Sequence, residues 1–136
     1  MKKLILVTGI CLLVSSLGIA QENYNVVFDI TSSDTINHKS VIRQAGGILQ
    51  ANPNAKVEIV IYSQALDLVV KDKSIVADAV AELAKKGVAF RVCAITMKRN
   101  NIDQSMLVPG VETVPDGIYE IITKQRQGYG YIKVGR

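Results

Sequence analysis

Lys56-Val57-Glu58-Ile59-Val60-Ile61-Tyr62 and, after a helical interval, Val88-Ala89-Phe90-Arg91-Val92-Cys93-Ala94 are the stretches on which the reading of the fold turns. Both runs are short, rich in β-branched residues and without sustained polar alternation, the pattern of strands buried on two faces. Between them, Ser74 to Lys86 carries Val76, Ala79, Val80 and Leu83 at helical spacing, and Gly87 stands at the C-cap. Strand, helix and strand in that order predict a right-handed crossover and a parallel pair.

The same alternation extends in both directions. Tyr24-Asn25-Val26-Val27-Phe28-Asp29-Ile30 reads as a first strand, and Thr31-Ser32-Ser33-Asp34 as a turn with a ready N-cap. A helix follows to about Gln50, with Val41, Ile42, Ala45, Ile48 and Leu49 on its apolar face, and Asn52-Pro53-Asn54 ends it. Gly46 and Gly47 lower its propensity, which predicts very close packing on the sheet. Leu66 to Val70 reads as a short helix or turn, and Ile95 to Leu107 as irregular or a broken helix. Val111 to Val114 is a fourth strand. Pro115-Asp116-Gly117 opens a last helix bearing Ile118, Ile121 and Ile122, Gly128 closes it, and Tyr129 to Val134 is a fifth strand. The expected architecture is one three-layer α/β/α domain around a mostly parallel five-stranded sheet.

The N-terminus is read separately. Lys2 and Lys3 precede an uncharged, mostly apolar run from Leu4 to Leu17, and Gly18 and Ala20 fit the −3 and −1 positions of a cleavage site. The run is shorter than the ~20 residues of a membrane span, so a cleaved signal peptide is preferred over an anchor. Cys11 follows Ile10, which is too large for a lipoprotein site. The expectation is a signal peptide over residues 1–20, a domain over residues 21–136, and a periplasmic or otherwise secreted location. Lys2 and Lys3 leave with the signal, so 14 of the 16 Lys and Arg remain against 12 Asp and Glu, a net charge of +2. That small excess argues against a nucleic-acid partner, which needs a concentrated basic face. Lys124, Arg126, Lys133 and Arg136 read as solvated surface.

Removal of Cys11 leaves Cys93 alone. An odd cysteine in an exported chain is buried and inert, paired between chains, or a free reactive thiol. With no CxxC pair and a single histidine, no zinc site is expected, and nothing indicates another metal or a cofactor. In an open parallel sheet ligands bind beyond the carboxyl ends of the strands, where Cys93 ends the third strand. Thr96 follows with an amide placed to open a helical turn, then the cations Lys98 and Arg99; helix-start amides and positive neighbours both favour thiolate. Against this, most strand cysteines simply pack. Asp29, Tyr62, Ser63 and Gln64 reach the same edge as ligand-binding candidates, or serve only their loops. His38 lies near it in the first helix, an acid–base candidate or, as the preferred reading, a surface side chain. Ser63 lacks a nucleophile-elbow motif, and no glycine loop follows the first strand to cradle phosphate.

Residues Gly87 to Ile102, with Cys93 delivered by a strand and followed by a short basic helix and a tight turn, resemble the cysteine segment of the DsrE/DsrF-like proteins. Val108 to Gly117 and Gly128-Tyr129-Gly130-Tyr131-Ile132 are similar to the ending of single-domain members. The resemblance implies a DsrE-like fold with a five-stranded parallel sheet and assembly as a homo-oligomer, a trimer or hexamer. In sulfur-relay, TusD-like members the matching cysteine carries a persulfide between protein partners, and that role falls here on Cys93. Relay partners are cytoplasmic, whereas this chain is read as exported. Asn100 also replaces a common turn glycine; asparagine tolerates the left-handed conformation.

Overall fold

The computed structural model describes residues 24–135. Strand β1 (Asn25–Ile30) leads to helix α1 (Thr35–Ala51), β2 (Lys56–Ile61), a 3-10 turn (Ser63–Leu68) and α2 (Ala77–Lys85). Then come β3 (Ala89–Cys93), α3 (Ala94–Arg99), a second 3-10 turn (Gln104–Met106), β4 (Val111–Val114), α4 (Gly117–Arg126) and β5 (Gly130–Val134). The strands form one sheet in the order β4-β3-β2-β1-β5, and every neighbouring pair is parallel. The signal peptide expected over residues 1–20, its cleavage after Ala20, and Cys11 lie outside the described residues. Among the described residues no helix is long and apolar enough to cross a membrane.

Because successive strand residues point to opposite sides, the sheet has two faces of different chemistry. On the first, Phe28 and Ile30 of β1, Ile59 and Ile61 of β2, and Phe90 and Val92 of β3 are fully buried. They pack against Val41 and Ala45 of α1 and Val80 and Leu83 of α2. Each such side chain contributes about 1.5–3 kcal/mol relative to exposure, so this face dominates the stability. The second face is covered by α4, and its apolar cluster is small: Val27, Val60 and Ile121, flanked by Tyr62 and Tyr129. The register lines up Lys133, Asp29, Val60, Arg91 and Glu112 as one row across this face, with Glu58 one step back on β2.

The second face carries buried charge: Glu58 of β2, a strand read as buried on both faces, is itself only 2% exposed. Of the C-terminal cations read as solvated surface, Lys124 is the one it corrects. Lys124 bonds Glu58 at 3.0 Å and is largely covered, whereas Lys133 bonds Asp29 at 2.9 Å but stays exposed, as does Arg126. The expected close contact of Gly46 and Gly47 with the sheet is not found. A Cβ at Gly46 would approach Leu83 of the neighbouring helix α2 at 3.7 Å, and one at Gly47 would meet nothing within 4 Å.

Local signals explain the element ends. Asp34 caps α1 by accepting from the Ile36 amide at 2.8 Å, and Asp116 caps α4 by accepting from the Ile118 amide at 2.8 Å. Helix α2 starts three residues later than its periodicity indicates. Ser74 is occupied in the preceding turn, donating its hydroxyl to the Leu68 carbonyl at 2.6 Å and accepting from the Val76 amide at 3.2 Å.

Candidate functional site around Cys93

Cys93 is the last residue of β3 and the N-cap of α3, with φ −69° and ψ 118°. Its extended backbone ends the strand while the next residues turn into the helix, so the first amides of α3 lack intrahelical acceptors. The side chain is 5% exposed. Burial is the largest single influence on the thiol and pushes its pKa up. The amides of Gly117, Thr96 and Ile95 and the Thr96 hydroxyl act the other way, and together they hold the thiol below its ordinary range.

Two details show how those donors are placed. The Ser63 amide donates to Thr96 Oγ1 at 3.3 Å, which occupies a lone pair of that hydroxyl and leaves its hydrogen free for the sulfur. Ser63 takes a left-handed φ of 57° to do so, an uncommon conformation for a non-glycine residue. Gly117, the first residue of α4, brings its backbone against β3. A Cβ there would lie 3.3 Å from both Cys93 Cβ and Val60 Cγ1, and 3.4 Å from Tyr62 Cδ1. A side chain there would have to displace these neighbours by a few tenths of an ångström, so glycine favours the close packing of α4 on the thiol.

Beside the thiol, the Tyr62 ring continues the row toward β1. Burial, then the charge of Asp29, push the Tyr62 phenol up to about 12, so it stays neutral at any physiological pH. Asp29 is buried and satisfied, accepting from Tyr131 Oη at 2.6 Å and Lys133 Nζ at 2.9 Å. Lys133 also donates to Thr31 Oγ1 at 2.9 Å and lies 5.7 Å from the Tyr62 ring centroid. The Lys133–Asp29 pair thus lies one aromatic ring away from the cysteine.

The remaining sequence candidates fall in different places. Gln64 is exposed, and its amide donates to the Thr31 carbonyl at 3.2 Å, a loop-closing role. Lys98 and Arg99 are exposed in the last turn of α3, whereas Cys93 caps its first; six helical residues span about 9 Å. His38 is not a surface side chain: it is 1% exposed, and Nε2 lies 2.8 Å from the Ser32 carbonyl oxygen. A carbonyl only accepts, so Nε2 carries the proton and the ring holds the β1–α1 loop. The left-handed residue after the basic pair is Asn101, with φ 53°, not Asn100, whose side-chain amide donates to the Thr96 carbonyl at 2.8 Å. Sequence reasoning missed Gly117 as a thiol neighbour. The signal was the capped Asp116-Gly117 start directly after β4, the strand that pairs with β3 through Cys93 and Val114. Among the described residues no group of three or more His, Cys, Asp or Glu side chains gathers where a metal ion would be held.

Solved structures share this fold. MTH1491 from Methanobacterium thermoautotrophicum, a protein of unknown function, is 29% identical and superposes with a TM-score of 0.77 over 82% of this chain and 99% of its own. BT1422 from Bacteroides thetaiotaomicron, also of unknown function, is 13% identical with a TM-score of 0.69, covering 82% of this chain and 95% of its own. The YchN protein from E. coli is 11% identical with a TM-score of 0.65, covering 82% and 97% respectively. The last two likenesses are of fold alone. No curated protein matches the sequence. The family model that does match describes the DsrE/DsrF-like family and covers residues 17–134, so the chain belongs to that family.

Proposed function

We propose that this protein is a sulfur carrier that holds a persulfide on Cys93 and passes it to a protein partner. The observation that supports this reading best is the place of Cys93 at the end of β3 and the N-cap of α3 with Gly117 packed against it, where the amides of Gly117, Thr96 and Ile95 and the Thr96 hydroxyl lower the thiol pKa against its burial. The step is a thiolate displacement. Cys93 Sγ attacks the outer sulfur of a donor persulfide, R–S–SH; the new S–S bond forms as the old one breaks, giving Cys93–S–SH and the donor thiolate R–S⁻. No oxidant is needed, and the same exchange in reverse delivers the sulfur. The amides that favour the thiolate also make Cys93 a good leaving group at delivery. Incubated with a persulfide donor, the protein is expected to gain one sulfur atom in intact mass, and Cys93→Ser none. Equal uptake by the serine variant contradicts the proposal.

The 5% exposure of Cys93 favours a second reading, a non-enzymatic binding or assembly module of the cell envelope with a structural cysteine. It predicts a thiol inert to alkylating reagents in the native state. Location and assembly belong to the same proposal. Export with cleavage after Ala20 is supported by the Lys2-Lys3 and apolar pattern of the leader, and mass analysis of the chain recovered from its host tests it. A homo-oligomer, a trimer or hexamer, is supported by the family resemblance and by Ile118, Tyr119 and Ile122 exposed on α4.

A further inference from the structure

The buried charge on the second face of the sheet has no part in the sulfur chemistry above, yet it lies under the helix that starts at the thiol. Glu58 Oε2 bonds Lys124 Nζ of α4 at 3.0 Å and lies 3.9 Å from Arg91 Nε of β3. Its other oxygen, Oε1, is buried and has no hydrogen-bond partner among the described residues. Lys124 is shared, with Glu120 Oε1 at 3.5 Å, and its ammonium lies 5.4 Å from the Tyr129 ring centroid. Arg91 is drawn the other way by Glu112 of the edge strand β4. From β1, the residue level with Glu58 is Val27, and Asp29 is engaged by Tyr131 and Lys133 of β5. On its own strand the neighbouring charge is Lys56, at the rim of a cavity of about 230 Å³ that Glu58, Arg91, Lys124 and Tyr129 line. A buried carboxylate with one unsatisfied oxygen and a lysine divided between two acids is poorly held in its charged form.

The helix above has little else to hold it. Its sheet-facing stripe is Gly117, Glu120, Ile121 and Lys124, spaced three, four and seven residues from the first. Ile121 supplies its buried apolar anchor, and Gly117 and Ile121 are its buried residues. Lys124 lies two turns from Gly117, about 10 Å along a continuous helix, so a tilt at one end moves the other.

We propose, resting on the reading of Cys93 as an ionised thiol, that Glu58 and Lys124 form a pH-sensitive latch: ionised Glu58 holds α4 so that the Gly117 amide meets the Cys93 sulfur, and protonation of Glu58 releases it. Both are positioning residues, acting on the thiol through the helix. Burial and the neighbouring Glu120 carboxyl push Glu58 up to about 7, against the pull of Lys124, so the latch changes state near neutrality. In a neutral environment the helix is set and the thiolate is favoured; in an acidic one the Gly117 donor is withdrawn and the thiol keeps its proton. Linkage makes the effect reciprocal, so the two groups deprotonate cooperatively.

The test is the rate of Cys93 alkylation by iodoacetamide from pH 5 to pH 9 on the intact domain. An independent thiol raises that rate at most tenfold per pH unit. The latch predicts a rise steeper than tenfold per unit through the region near pH 7 in wild type, and a simple single ionisation in Glu58→Gln and in Lys124→Met. A single-ionisation profile in wild type, unchanged by either substitution, overturns the latch. Should Glu58→Gln fold poorly, Lys124→Met carries the comparison, because it removes the tether and leaves the buried acid. The carrier proposal is judged apart from this, by sulfur uptake. Uptake with a single ionisation in every variant leaves the carrier and removes the latch. A variant-sensitive cooperative profile without uptake does the reverse.

Discussion

At Cys93 two opposed effects decide the chemistry. Burial of the thiol disfavours the anion, and four donors favour it. A hydrogen bond to a charged acceptor is worth about 1.5–3 kcal/mol, so the loss of one donor is enough to shift the balance. Thr96→Val removes the hydroxyl and also strands the Ser63 amide, whose acceptor it is. It is expected to raise the thiol pKa and cost about 1–3 kcal/mol in chemical denaturation. An unchanged thiol pKa would mean that the hydroxyl points elsewhere. Gly117→Ala inserts a Cβ at 3.3 Å from Cys93 and Val60, so it is expected to push α4 off the thiol, raise the thiol pKa and destabilise by about 1–3 kcal/mol. Much of this site was legible in the sequence. Cys93 stood out as a lone thiol at a strand end, and Thr96 as the residue whose amide opens the next turn. Gly117 was legible only as the capped start of the last helix; its place against the thiol depends on β4 lying beside β3, which no local pattern states. The burial of His38 was legible but passed over: His38, Val41 and Ala45 share one helical stripe, at spacings of three and four.

Among the elements, α4 is where stability and function diverge. The Glu58 carboxyl moves from its ordinary 4.5 in the unfolded chain to about 7 in the folded one. Between those values the folded state binds more protons, so unfolding free energy falls as pH rises from about 4.5 to about 7, then levels. The shift corresponds to about 3 kcal/mol at most, and Glu58→Gln is expected to flatten that part of the stability profile. A wild-type profile already flat from pH 5 to 7 argues against a raised carboxyl. The ion pair therefore orients the helix without stabilising the fold, as buried pairs often do. On the opposite side of the sheet, Gly110 shows a tighter constraint: its φ is 89°, and a Cβ would lie 2.7 Å from Ala84 Cβ of α2. Gly110→Ala is expected to lower the denaturation midpoint, through both the strained backbone and the contact. The extents of β2, β4 and α4 followed from hydrophobic period and caps, because those signals are local. The start of α2 did not, because Ser74 spends its hydroxyl on a contact with Leu68 that only the tertiary fold provides.

For the whole molecule, strand–helix alternation was enough to read a parallel sheet in three layers, since right-handed crossovers leave few other solutions. The order β4-β3-β2-β1-β5 and the unequal faces were beyond it, because alternation says nothing about which edge a strand joins or how many helices cover each side. The thinly covered face, with Ile118, Tyr119 and Ile122 exposed on its helix, is expected to be buried between subunits. Sedimentation should then show a trimer or hexamer that Tyr119→Glu weakens; a monomer at every concentration would exclude such an interface. The account as a whole depends on one ionisation. The pKa of Cys93 in the native protein, followed by pH-dependent alkylation with Cys93→Ser as blank, is predicted to fall below the ordinary thiol value of about 8.5 and to return to it on unfolding. A native value at or above that of the unfolded chain would contradict it, and would mean that burial outweighs the amides aimed at the sulfur.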